Sequence, residues 1–343
     1  MGSVSSSKFI HPHQIGGILQ YALDNGPARG SRVCEVNTGS GLRYRVTVDR
    51  GLDIDHAFMN QHSLAFLTHG NLAAPSPAMN EGAHWLKNFP GGLLTSCGPF
   101  NTGAPSNDAG ESLGLHGPHS NTPAEIESVF QPDPVRGQLE MSITGLIRYG
   151  AFYGPNLTLR RTISSTLGQA EIRVRDQFTN DGNAPLPHAW LLHINFGYPL
   201  LDEGTEFLIG EHDHQPRDDE RSIAFFKSGD PRRFPSPSDE QRGDGHVFRY
   251  VTPRTHGATT AAIWNDSLQL GVAIDYDTRQ FPRLGQWLHW GPREYVAALE
   301  PMTGGVEGRH IDRSRGWLRT INPAESVVYT YTLRIVSNNP HIV

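Results

Sequence analysis

An all-β protein, built as a large antiparallel sandwich with few short helices, is what the sequence predicts. Three observations carry that prediction. Apolar and polar residues alternate with a period of two through several separate runs, the pattern of strands with one buried face. The chain holds 37 Gly and 25 Pro, a composition that favours turns over long helices. Only residues 17–24, Gly-Ile-Leu-Gln-Tyr-Ala-Leu-Asp, read as helical, too little to alternate with strands in a doubly wound α/β fold.

In chain order, Leu42, Tyr44, Val46 and Val48 alternate with Arg43, Arg45 and Thr47 and define the first clear strand. Leu139, Met141, Ile143 and Ile147 repeat the pattern, as do Ile172, Val174 and Phe178. Asn180-Asp181-Gly182-Asn183 consists of residues that tolerate positive φ, which predicts a turn joining neighbouring antiparallel strands. Val327, Tyr329, Tyr331, Leu333 and Ile335 form a long closing strand. Gly, Pro, Ser and Asn accumulate at 68–82, 98–112 and 228–246, which predicts long loops of the kind that carry sites on rigid sheets. No fixed-period repeat and no linker divides the 343 residues. A single domain over residues 1–343 is expected, with 1–30 as an N-terminal extension.

Composition excludes several classes of partner. Lys and Arg total 29 against 35 Asp and Glu, so no basic surface is available for a nucleic acid. With only Cys34 and Cys97, neither a disulfide framework nor a cysteine-rich zinc module can be built, and a reducing, cytoplasmic setting is expected. No segment reaches the roughly 20 apolar residues that span a bilayer. Met1 to Lys8 lacks the apolar core of a secretory signal. Met1-Gly2 with Ser6 matches the myristoylation pattern but has no second membrane signal beside it, so no membrane partner is expected. The absence of phosphate-cradling glycine loops and of Gly-x-Ser-x-Gly argues against NTP hydrolysis and the usual serine hydrolases.

Among 17 histidines, context must do the sorting. His193 lies in the apolar run Trp190-Leu191-Leu192-His193-Ile194-Asn195-Phe196, where an imidazole is costly to bury alone. It reads either as a proton-transfer group or as a core histidine satisfied by a carbonyl. Glu300 ends the run Tyr295 to Leu299, just before Pro301, a proline expected to stop regular pairing. It is either a desolvated base or a rim glutamate in a salt bridge. His116, His119 and Asn121 crowd into Leu115 to Glu125, equipment for gripping hydroxyl groups or simply a long hairpin connection. Arg50, between Asp49 and Asp53, reads as an ion-pair corner or a binding residue. Trp287 and Trp85 offer apolar platforms or core packing. His212-Asp213-His214 places two imidazoles at i and i+2 without a third ligand at a diagnostic spacing, so no metal and no cofactor is expected.

Taken together, the ordered stretches Val48 to Ile54, Phe89 to Leu94 with Cys97-Gly98, and Leu115-His116-Gly117 with Ser120-Asn121 and Pro123-Ala124 make the chain similar to a known family. His193 to Pro199, Gln286-Trp287 and Leu299-Glu300-Pro301 complete the set. The chain resembles the aldose 1-epimerase, or galactose mutarotase-like, superfamily and, more closely, its DUF4432 branch. The resemblance covers nearly the whole sequence and implies a β-supersandwich with a sugar cleft on one sheet face. It implies His193 as general acid and Glu300 as general base, with His116 holding the sugar and Asp218 in the place of a substrate-contacting aspartate. The implied activity is anomer interconversion of a free sugar without a cofactor. A non-catalytic sugar-binding or sensing protein and an epimerase of a modified sugar are the alternatives. The chain departs from the mutarotase motif Asn-x-x-x-Gly-Arg-x-x-Asn-Arg, carrying Gly91-Gly92-Leu93-Leu94 with no equivalent arginine, and it has Pro118-His119 where many relatives in the branch have Arg after His-Gly. His193 and Glu300 are expected to approach opposite flanks of one sugar ring, with His116, His119, Asn121 and Arg50 as hydroxyl contacts.

Overall fold

A computed structural model describes residues 8–340 and 342; the myristoylation-like match at Met1-Gly2 lies outside the described residues. Three antiparallel sheets of eight, six and five strands make up the body, with two short two-stranded pieces beside them. The eight-stranded sheet runs Glu206–Ile209, Ala258–Asn265, Leu270–Asp277, Ser326–Val336, Glu171–Asn180, Asn156–Thr166, Glu140–Gly150, Ala124–Phe130. The six-stranded sheet runs His212–Pro216, Val247–Pro253, Arg283–Gly291, Glu294–Met302, Leu191–Gly197, Thr95–Cys97. The remaining sheet takes Gly17–Ala22, Arg32–Asn37, Leu42–Thr47, Asp53–Met59 and His62–Ser63 in chain order. Among the described residues, helices are confined to Glu220–Ser228, Arg309–Ser314 and short 3-10 turns. None of them is long and apolar enough to cross a membrane.

One continuous core joins all three sheets. Leu159, Ile163, Val174 and Tyr331 of the eight-stranded sheet pack with Leu192, Ile194, Leu284 and Leu299 of the six-stranded sheet and with Val46 and Ile54. The alternation read at 42–48, 139–147, 172–178 and 327–335 corresponds to strands Leu42–Thr47, Glu140–Gly150, Glu171–Asn180 and Ser326–Val336. The opposite face of the six-stranded sheet carries a smaller cluster of Trp85, Cys97, Leu191, Phe248, Tyr250 and Met302. That second face holds the candidate site.

Two local expectations are corrected. Residues 17–22 form a strand, not a helix, paired with Arg32–Asn37 from Gly17↔Asn37 to Ala22↔Arg32. The segment is too short to nucleate a stable helix, and only one side chain beyond its first residue, Ile18, is buried; edge pairing satisfies its backbone instead. Residues 180–183 do not close a hairpin, because the chain leaves the sheet for Leu186–His188, which pairs with Arg319–Ile321. None of the four has positive φ. The Asn180 side chain makes the bend instead, accepting from Gly182 N and donating to the carbonyls of Ala184 and Ile321.

A buried ion cluster pins the layers together. Arg161 is fully buried, and its guanidinium donates to both Asp176 oxygens at 2.7 and 2.9 Å, to Asp53 Oδ1 at 2.8 Å and to Ser96 Oγ at 2.8 Å. Asp53 Oδ2 accepts from Ser96 N at 3.0 Å, so one cluster ties the five-stranded sheet to the strand that edges the site. Removing one partner strands charges in a dry interior. Arg161→Met should cost roughly 3–5 kcal/mol in urea unfolding, whereas Arg160→Met, which breaks an exposed pair with Glu127, should cost under about 1 kcal/mol. Equal effects of the two would refute this account of the cluster.

Candidate active site

Strand register places the two proton-transfer residues side by side. Strand Leu191–Gly197 pairs with Glu294–Met302 through Leu191↔Met302 and Ile194↔Leu299, the register in which His193 lies opposite Glu300. Pro301, which has no N–H to donate, falls in the gap between those paired positions. It does not end the strand as expected: Leu284↔Pro301 and Arg283↔Met302 still pair on its other side, because a missing N–H interrupts only the one edge it would have faced. Residues directly opposite share a face, so Thr95, His193, Glu300, Gly285 and Tyr250 form one row on the outer face of the sheet.

His193 Nε2 lies 3.3 Å from Glu300 Oε1, with the two side chains 8% and 2% exposed. Their separation corrects the expected opposite-flank arrangement, since no sugar ring fits between groups in contact. His193 Nδ1 is buried, with no partner among the described residues other than the nearby Asn195 side chain. Around the imidazole stand Phe89 at 5.7 Å, His116 at 5.7 Å, Trp287 at 5.5 Å and Trp85 at 6.5 Å between ring centroids. Trp85 stacks on Phe89 at 4.4 Å and is held by its Nε1–H donating to Ser120 Oγ.

Burial sets the protonation of this pair. It pushes the Glu300 carboxyl up to about 8, opposed by the Arg217 charge, and pushes His193 down to about 4, opposed by the Asn195 side chain. Between those values His193 is neutral and Glu300 keeps its proton, so the pair holds one proton in all. His116 is lowered to about 3, by burial first and then by His193. Its Nδ1 accepts from Gly103 N at 3.2 Å, so the neutral ring carries its proton on Nε2. His116 thus presents a fixed donor beside the pair.

Other sequence-predicted residues are drawn elsewhere. His119 is fully buried, with Nδ1 at 2.5 Å from Tyr149 Oη, its edge on Trp190 and Nε2 3.5 Å from Asp53. Gly51, at φ 65°, has no room for a Cβ because the same ring fills that space. Arg50 is buried and donates to the carbonyls of Ala73 and Asn88. Asn121 binds Ser76 N, Asn88 and Asn80, fixing the loops on either side of Trp85. Each is held by other parts of the protein: Arg50 and Asn121 tie loops together, and His119 packs against Tyr149, Trp190 and Asp53 in the interior. Asp218 is exposed; its neighbour Arg217 is the residue whose charge reaches Glu300. His212 and His214 rings stand 6.2 Å apart with Asp213 paired to Arg254, and no group of three or more His, Cys, Asp or Glu among the described residues could hold a metal ion. Arg217 carries no sequence signal that marks it, and the placing of Phe89 and Trp85 against His193 comes only from the packing.

The architecture is that of galactose mutarotase-like proteins. A candidate aldose 1-epimerase from Klebsiella pneumoniae superposes with a TM-score of 0.82 at 23% identity, covering 93% of this chain and 83% of that one. A galactose mutarotase-like protein from Clostridium acetobutylicum gives 0.64 at 13% identity, covering 93% and 98%. A galactose 1-epimerase from Lactobacillus acidophilus gives 0.58 at 9% identity, covering 94% and 99%. The chain belongs to the DUF4432 family, a domain of unknown function, whose model matches residues 28–335. No curated protein sequence matches it.

The raised Glu300 value has a consequence for stability. The unfolded chain releases this proton near the ordinary glutamate value of 4.5, whereas the folded chain holds it to about 8, so stability falls as pH rises between those values. Glu300→Gln removes the penalty. The variant should match wild type near pH 4 and exceed it above pH 8, by an amount on the order of a few kcal/mol at about 1.4 kcal/mol per unit. Parallel denaturation curves with no pH-dependent gap would contradict a buried, proton-holding Glu300.

Proposed function

We propose that the protein interconverts the α and β anomers of a free sugar by general acid–base ring opening. The observation that carries this reading is the contact of His193 with Glu300, 3.3 Å apart and both buried. Ring opening needs one proton removed from the anomeric hydroxyl and one delivered to the ring oxygen. Those two oxygens are bonded to the same carbon and lie closer together than the two side chains, so an adjacent acid and base can serve both from one side. Transfer of the Glu300 proton to His193 makes a carboxylate and an imidazolium. Glu300 then takes the hydroxyl proton, the bond from the anomeric carbon to the ring oxygen breaks as the carbonyl forms, and His193 protonates the released oxygen. The pair still holds one proton, now on Glu300. Rotation about the bond between the first two carbons and the reverse sequence give the other anomer.

His116 Nε2–H supports the reading as a fixed donor to a sugar oxygen, and Trp85, Phe89 and Trp287 supply apolar surface for a C–H face. Two unpaired, buried thiols suit a reducing compartment, the cytoplasm.

The test is one-dimensional NMR of freshly dissolved aldoses with and without protein. Faster equilibration of the anomeric signals alone is the expected result. Binding without acceleration would replace the proposal with sugar sensing, and a change at another carbon would replace it with a different epimerisation. Glu300→Gln should abolish the acceleration and His193→Asn should lower it by about 100-fold or more. Because the chemistry requires one proton on the pair, kcat/KM should be bell-shaped, falling below about pH 4 and above about pH 8. A rate that keeps rising well above pH 8 would exclude the one-proton scheme.

A further inference from the structure

The sequence lacks the arginine that the mutarotase motif supplies ahead of Leu-His-Gly, yet the sheet face that carries Glu300 is not without one. Arg217 follows strand His212–Pro216, and its backbone N–H donates to Phe248 O at 2.9 Å. The register Phe248↔Trp287↔Ala298 continues that row, so Arg217 extends the face of the sheet on which Trp287 and Glu300 lie. Its guanidinium is clamped on two edges, Nε donating to Asp219 Oδ2 at 2.8 Å and Nη2 to His246 Nε2 at 3.1 Å. Arg can only donate, so His246 accepts there as a neutral ring. His246 in turn stands 6.0 Å from Trp287, which stands 5.5 Å from His193. Nη1 has no acceptor among the described residues.

We propose that Arg217 is a substrate-binding residue of the cleft, presenting its uncommitted Nη1 to a sugar oxygen remote from the anomeric carbon while its charge faces Glu300. A guanidinium fixed by a carboxylate and an imidazole needs no ordering when the sugar arrives, which is the condition for strong, directional hydrogen bonding. The groups facing Glu300 from the surrounding elements are His193, Cys97, Arg217 and Tyr250. Cys97 is held protonated by burial, and the Tyr250 hydroxyl is committed to Glu307. Arg217 is the one cation in that set. The inference rests on the mutarotase reading for the identity of its ligand class but not for the contact with Glu300.

The experiment has two arms. In the first, a sugar accelerated by the wild type is titrated calorimetrically into Glu300→Gln and into Glu300→Gln with Arg217→Gln. The second substitution should weaken binding about tenfold or more, as expected for a lost charge-assisted bond, while Arg217→Lys should recover part of the loss. In the second arm, the Glu300 carboxyl is followed by 13C NMR through a pH titration of otherwise wild-type and Arg217→Gln protein. Its midpoint should rise by at least half a unit in the variant. Unchanged affinity within twofold or an unchanged midpoint, in a variant that retains the wild-type circular dichroism spectrum, overturns the proposal. If no sugar is accelerated the mutarotase reading fails by itself, and the titration arm still decides whether Arg217 faces Glu300.

Discussion

Arg161 has no access to water, and the rest of the structure is arranged around satisfying it. A guanidinium in that position must be paired in place or the interior does not close. Asp176 comes from its own sheet, but Asp53 comes from the N-terminal sheet and Ser96 from the strand at the edge of the site. Asp53 also holds the Ser96 backbone. The cluster therefore fixes how the N-terminal sheet docks and where Thr95 lies, and Thr95 pairs directly with His193. His119 and Tyr149 fill the remaining space beside it, which is why a histidine from a sugar-binding type of motif ends in the core.

From there the site follows from register. A sheet with a two-residue side-chain period puts opposed residues on one face, and a slip of a single position would send either His193 or Glu300 into the hydrocarbon core between the sheets. Leu192, Ile194 and Leu299, which flank the pair in sequence, occupy that core and lock the register. Pro301 serves the same geometry. Lacking an N–H, it leaves the ladder open beside the pair without ending the strand, because its other edge still pairs with Leu284. The result is an acid and a base in contact, screened from bulk water, with values moved in opposite directions by the same burial.

Much of this was legible in the chain, and what was not has identifiable causes. Long alternating runs such as 327–335 declare themselves because every second residue must be apolar for one face to be buried. Residues 17–22 do not, because an edge strand with little burial carries no alternation and is held by backbone pairing alone. Residues 180–183 looked like a hairpin because local composition specifies a bend but not the strand that follows it. Within the site, His193 and Glu300 stood out as polar groups in apolar runs, and His116 through its motif. Arg50, His119 and Asn121 sat in equally polar stretches, and nothing local separates a side chain that faces a cleft from one that ties two loops together.

The sequence by itself determined the all-β class, the long alternating strands at 42–48, 139–147, 172–178 and 327–335, and the standing of His193 and Glu300 as polar groups in apolar runs. Alternation and composition are local, and local patterns are enough for those. The tertiary structure alone decided that the imidazole and carboxylate touch rather than face each other across a ring. It alone decided that His116 stands beside His193 with its proton on Nε2, that Trp85 and Phe89 pack around that imidazole, and that the cation acting on Glu300 is Arg217. Each of these depends on which strands pair and in what register across more than 70 residues of intervening chain, a relation that chain order does not encode until the core has closed around Arg161.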